Sequence, residues 1–288
     1  MVFLMRRWRL NSGYNGATDQ RRTKAGTIPM LKHYMERNLG EFSYAAGTTP
    51  NDVDVANLLL WYAADQEVAY SNGQSVSTMT NLTVSGSNAT AFGTGPTYVT
   101  NILNSLPIYR FANNPCRTAS SYSFTDFTFY VVFNNTSGTE SYERLVDHDY
   151  VNGFQFSRGG SNANTFGGGV REGSPPYGVY VTTATDGQWN IIANQRDGTT
   201  HNVWNNGDFA NRASNSVVAT ATKTNVVGIG GWYNNFTERA QNIDIAEIVF
   251  YNSALDSTER NLIEGYLAHK WGLQSNLPVG HPYKDVAP

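Results

Sequence analysis

Residues 242–284 read NIDIAEIVFYNSALDSTERNLIEGYLAHKWGLQSNLPVGHPYK, and this stretch decides the fold. Its first ten residues have the make-up of a strand. Simple alternation puts Ile243, Ile245, Val249 and Tyr251 on one face and Ala246, Ile248 and Phe250 on the other. Apolar residues on both faces describe a strand buried between two layers. Asn252-Ser253 then turns the chain. Asp256 fits an N-cap, and Glu259 three residues on completes a capping box that satisfies orphan backbone N–H groups. Leu262, Ile263, Tyr266, Leu267 and Trp271 recur at helical spacing, and Gly272 ends the helix. Leu277-Pro278 and His281-Pro282 anchor a tail.

Working outward from this unit, the chain back to residue 47 is almost all strands. Leu58–Ala63 (LLLWYA) is the first of them. Ser123 to Phe133 is the clearest, with Phe127, Phe129, Val131 and Phe133 facing one way and Thr128, Tyr130 and Val132 the other. Asp197-Gly198 and Asn206-Gly207 are turn signals that bracket the strand of residues 201–205. Many short strands with few helices predict an all-β, two-sheet antiparallel sandwich with a C-terminal helix. Only 15% of the 288 residues are charged and 13% are aromatic, which suits a packed β protein with polar loops rather than a disordered chain. Cys116 is the single cysteine, so no internal disulfide staples the fold.

Residues 1–46 differ in kind. They carry eight Lys or Arg against three acids, a net +5 that leaves −8 for the remainder of a chain whose total is −3. Thr27 caps and Gly40 ends a short predicted helix, lined by Met30, Leu31, Tyr34, Met35 and Leu39. With Arg21 and Arg22 these residues form an expected docking arm, 1–46, which orders against a partner or a sister subunit, while the sandwich occupies 47–288. Packing of the helix on its own sandwich is the alternative. The basic residues are scattered and lie in no nucleic-acid motif, so no nucleic-acid role is expected. No stretch is long enough to span a membrane, and MVFLMRRWRL has too short an apolar run to be read as a signal peptide.

The closing unit IAEIVFYNSALDSTERNLIEGYLAHKWGL, followed by LP-GHPYK, resembles the end of laminin-G-like jelly-roll domains of the concanavalin A-like lectin/glucanase superfamily. LLLWYAAD (58–65) and LPIYRF (106–111) resemble earlier strands of the same domains. The resemblance implies a jelly roll over residues 55–284 and leaves function open, since that fold hosts lectins, glycosidases and structural modules.

The superfamily's glucanases carry a Glu-x-Asp-x-x-Glu strand. Here the corresponding residues are Asn242, Asp244 and Glu247, and an amide cannot replace the nucleophilic carboxylate of a retaining glycosidase. The histidines are dispersed, there is no GxSxG elbow, and Cys116 lacks a nucleophile signature, so no catalytic residues are expected. Asp147 and Asp149 are the one candidate metal pair, close enough to hold Ca²⁺ through oxygen ligands; a solvated turn is the alternative, and no other cofactor is implied.

Glycan binding needs aromatic faces beside amides. Trp232, Tyr233, Asn234 and Asn235 form one such group, and Trp204 with Asn205 a second. Trp232 and Trp204 also fit core positions at the sandwich rim. The basic arm and the polar jelly roll together resemble surface proteins of tailed-phage virions. That resemblance implies a non-enzymatic tail-appendage, fibre or capsid-decoration protein, a homo-oligomer assembled in a host cytoplasm. Residues 1–46 would bind other virion proteins and the sandwich host-surface polysaccharide. A cell-associated carbohydrate-binding module and a jelly-roll glycosidase are the alternatives.

Overall fold

The computed structural model describes residues 47–136, 143–148, 153–158, 165–170, 177–181, 184, 186–217, 224–232 and 242–288. The sequence-predicted arm residues Arg21, Arg22, Met30, Leu31, Tyr34, Met35 and Leu39 lie outside them. Sixteen strands are described: β1 (Leu58–Ala63), β2 (Thr78–Met79), β3 (Ala89–Ala91), β4 (Thr97–Leu103), β5 (Leu106–Ala112), β6 (Cys116–Thr118), β7 (Phe127–Asn135) and β8 (Arg144–Asp147) form the first half. The second half is β9 (Phe154–Arg158), β10 (Phe166–Val170), β11 (Tyr177–Val181), β12 (Trp189–Asp197), β13 (Thr200–Asn205), β14 (Ala213–Ser216), β15 (Gly228–Ile229) and β16 (Asn242–Tyr251). Helix α1 (Ser257–Trp271) follows.

They make two antiparallel sheets. One runs β14-β13-β12-β7-β16-β5-β4, with β1 also on β16; the other runs β11-β10-β9-β8-β15-β6-β3-β2. The all-β sandwich expected from the strand pattern is therefore present. The two sheets face each other across a core of aromatic and branched side chains, including Phe127, Phe129, Phe133, Phe154, Phe156 and Phe250. Phe129 stacks on Phe250 with centroids 5.4 Å apart and rings inclined by 12°. Offset pairs of this kind add roughly 0.5–1.5 kcal/mol each beyond burial.

A second core lies on the other face of the first sheet, where α1 packs. It holds Tyr130, Val132, Ala193, Trp204, Ala246, Val249, Ile263, Leu267 and Trp271. The helix begins as read: the Asp256 carboxylate accepts from the N–H groups of Thr258 and Glu259, and Glu259 returns a bond to the Asp256 N–H. It ends at Gly272, whose φ of 70° is the left-handed region that suits glycine.

β16 is the central strand, and simple alternation misassigns its faces. A bulge between Ile245 and Glu247 breaks the register with β7. Ile243 and Ile245 face the sandwich interior, and beyond the bulge Ile248 and Phe250 do so too, while Ala246, Val249 and Tyr251 turn to the helix. One extra residue reverses the phase of everything that follows it. The bulge also divides the neighbours of β16: residues 242–245 pair with β5 and residues 247–251 with β1.

Candidate functional site

The bulge decides the fate of the glucanase-like carboxylates. It places Glu247 on the helix side, fully buried. Its Oε1 accepts from Trp61 Nε1 (2.6 Å) and Tyr266 O–H (2.8 Å), and its Oε2 from Trp271 Nε1 (2.7 Å). Lys270 Nζ lies 2.8 Å from the same Oε2 and 2.8 Å from Asp65 Oδ1. Burial alone would lower the Lys270 ammonium, but Glu247 and Asp65 overcome it and hold its pKa above the ordinary value. Both oxygens of Glu247 are occupied, so the residue has no lone pair turned to a substrate. Asp244 is engaged as well, by a two-pronged bond from Arg110 (2.8 Å at Nε and 2.8 Å at Nη2) that raises the arginine's pKa further. With Asn242 at the third position, this strand carries a structural carboxylate pair rather than an acid and a nucleophile.

The sequence-predicted glycan residues separate. Trp204 is 1% exposed; its Nε1 donates to Glu264 Oε1 (2.5 Å), and Phe209 packs edge-on against its ring. A sugar cannot stack on a ring enclosed in this way, and Asn205 is also buried, donating to Asn190 Oδ1. The expectation for this pair is corrected: both belong to the packing of β13. Trp232 is half-buried beyond β15. Tyr233, Asn234 and Asn235 lie outside the described residues. Asp147 is buried on β8 with its Oδ1 3.5 Å from Arg144 Nε, which makes it one half of an ion pair rather than a solvated loop ligand. Its expected partner Asp149 lies outside the described residues, and among those residues no cluster of three His, Cys, Asp or Glu is placed to hold a metal.

One end of the sandwich offers a different constellation. Asn57, Ser123, Thr125, Asp126, Asn252, Ser253 and Ala254 line a groove of about 420 Å³, within the range of small-ligand sites. Three connections meet there: the approach to β1, the approach to β7 and the turn from β16 to α1. Their positions are fixed by bonds that leave functional atoms over. Asn57 donates its amide to Asp54, and its backbone carbonyl accepts from Asn252 N, so its side-chain Oδ1 is left to solvent. Asp126 Oδ1 accepts from Gly198 N (2.8 Å), and its second oxygen has no partner among the described residues. The side chains of Thr125 and Asn252 are exposed and make no bond within the described residues. Amide, hydroxyl and carboxylate thus converge on one open depression with donors and acceptors to spare.

Sequence reasoning missed this groove because its members stand up to about two hundred positions apart. The signal present was local and weak: Asn252-Ser253 reads as a turn, and Ser123 to Asp126 as the polar start of a strand.

No family model matches the chain, and no curated protein matches it. Solved structures do resemble it. The binding domain of Paraclostridial Mosquitocidal Protein 1 superposes with a TM-score of 0.53 at 14% identity, over 73% of this chain and 52% of that one. Botulinum neurotoxin type C, whose cell entry depends on interaction with two ganglioside molecules, gives 0.51 at 12% identity, over 74% and 52%. Trypanosoma rangeli sialidase in complex with sialic acid gives 0.50 at 14% identity, over 85% and 39%. The chain spans about half the length of the two toxin chains and less of the sialidase. At such identities the likeness is one of fold, and it is to the β-sandwich architecture described above.

Proposed function

We propose that this chain is a non-catalytic binding sandwich that recognises glycans through the polar groove at the Asn57–Asn252 end. The observation that carries the reading is the convergence there of uncommitted hydrogen-bonding groups, from Thr125, Asp126, Asn252 and Asn57, in an open depression. Sugar hydroxyls pair with that mixture of donors and acceptors. The likeness to proteins described with gangliosides and sialic acid is compatible with the reading, and the committed oxygens of Glu247 favour binding over hydrolysis. The groove residues include no aromatic ring, so recognition would rest on hydrogen bonds, with modest affinity per site that gains strength when copies are arrayed.

The setting we propose is the surface of a tailed-phage particle, with residues 1–46 as the anchor to other virion proteins. What supports it is the contrast between a net-basic arm and a net-acidic, polar sandwich, together with the resemblance noted from the sequence. A glycan array probed with the full chain tests the binding reading. Retention of one or more glycans supports it, and a folded chain that retains none counts against it. Deleting residues 1–46 tests the anchor, which requires that incorporation into the particle be lost while the sandwich stays folded.

A further inference from the structure

The polar groove is electronegative. The connections that meet there, residues 47–57, 119–126 and 252–256, and the adjoining turn at 197–199 carry Asp52, Asp54, Asp126, Asp197 and Asp256 and no Lys or Arg. Several of these acids are spent on the scaffold. Asp54 accepts from Asn57 Nδ2 at Oδ1 (3.0 Å) and from Ser253 Oγ at Oδ2. Asp52 accepts from Thr49, and Asp256 caps α1.

Asp126 is the acid that lines the groove itself. The Asp197-Gly198 turn, with Gly198 at a φ of 54°, aims its N–H at Asp126 Oδ1 (2.8 Å) and so fixes the carboxylate. The other oxygen has no partner among the described residues. Arg196 precedes the turn, but it is 1% exposed, gives its Nε to the Gly198 carbonyl (3.3 Å), and is not one of the lining residues.

The free oxygen and Asn57 Oδ1 can only accept hydrogen bonds, while the Thr125 hydroxyl and the Asn252 amide can donate as well. A ligand that fits this set brings hydroxyl donors. A carboxylate, sulfate or phosphate brings acceptors and a like charge, and nothing lining the groove neutralises it. A divalent cation needs six or more oxygen ligands, and a single uncommitted carboxylate oxygen is a poor start toward them. We propose that the groove selects uncharged glycans over acidic ones, and that the free oxygen of Asp126 sets this selectivity. The selectivity rests on the glycan reading of the groove.

The test is an array of matched pairs probed with the full chain, each neutral oligosaccharide beside its sialylated, sulfated and uronate-ended forms. The neutral member should be retained about tenfold more strongly, the size of one like-charge contact near a protein surface. The gap should shrink as salt rises from about 0.1 M to about 1 M, where the screening length falls from about 10 Å to about 3 Å. Asp126→Asn keeps an oxygen for the Gly198 N–H and turns the free acceptor into a donor, so it should close most of the gap. Equal or stronger retention of the acidic members overturns the selectivity. If Asn252→Ala then abolishes that retention, the glycan reading itself stands. Retention of no glycan by a folded chain overturns the glycan reading, and the selectivity with it. A gap unchanged both by salt and in a folded Asp126→Asn variant overturns the role of Asp126.

Discussion

Glu247 and Lys270 meet 2.8 Å apart beneath helix α1, each less than a tenth exposed, and so tie the central strand to the helix that closes the fold. Trp61 of β1 and Trp271 of α1 both aim their indole N–H at this same carboxylate. What looks like half of a catalytic pair is the polar centre of the second core.

Replacing Glu247 therefore tests structure rather than chemistry. Glu247→Ala leaves two buried indole donors without their acceptor and takes from the buried Lys270 ammonium one of its two carboxylates, and the expected destabilisation is about 3–5 kcal/mol. Denaturant unfolding reads it. A stability within 1 kcal/mol of the parent, roughly the loss of one ordinary hydrogen bond, would contradict the hub.

His201 gives the fold a pH limit. Burial, reinforced by Arg196, lowers its pKa from 6.5 to about 3, and its Nε2 bonds Asn194 Oδ1 at 2.6 Å. The folded state keeps the ring neutral while the unfolded state protonates it. Its contribution is therefore full above pH 6.5 and is lost as pH falls from there toward 3. The slope is about 1.4 kcal/mol per pH unit for one such group. His201→Asn should flatten the stability profile between those limits relative to the parent; parallel profiles would contradict the assignment.

Gly168 sets the spacing of the sheets beside that histidine. A Cβ there would collide with the Asn194 amide and press on the His201 ring. Gly168→Ala should destabilise by about 1–3 kcal/mol as an overpacked core does. Adding Asn194→Ala should recover part of the loss, and strict additivity in the double-mutant cycle would show that the contact is unimportant.

Cys116 is buried, and burial pushes its thiol up to about 12. It should stay unreactive toward a thiol reagent at pH 8 in the folded chain and react promptly in denaturant. Rapid reaction under native conditions would mean that the β6 region opens readily.

What could be read from the sequence was whatever is decided locally. Asp256, Glu259 and Gly272 mark a helix by their own side chains and backbone, and Leu58–Ala63 reads as the strand it forms. The faces of β16 could not be read, because the bulge at Ala246 arises from pairing with β7 and leaves no local signature. Trp204 fits a rim aromatic until β13 and α1 enclose it. The groove was invisible because Asn57, Thr125, Asp126 and Asn252 become neighbours only when three connections meet at one end of the sandwich.

The central claim is that the groove binds sugar, and calorimetric titration of the full chain with a glycan retained on the array tests it most directly. Thr125→Ala and Asn252→Ala each remove an exposed group, so the variants should melt with the parent. At about 1 kcal/mol per hydrogen bond, the double variant should bind roughly tenfold or more weakly. Undiminished affinity in a double variant with unchanged melting would contradict the assignment of the groove.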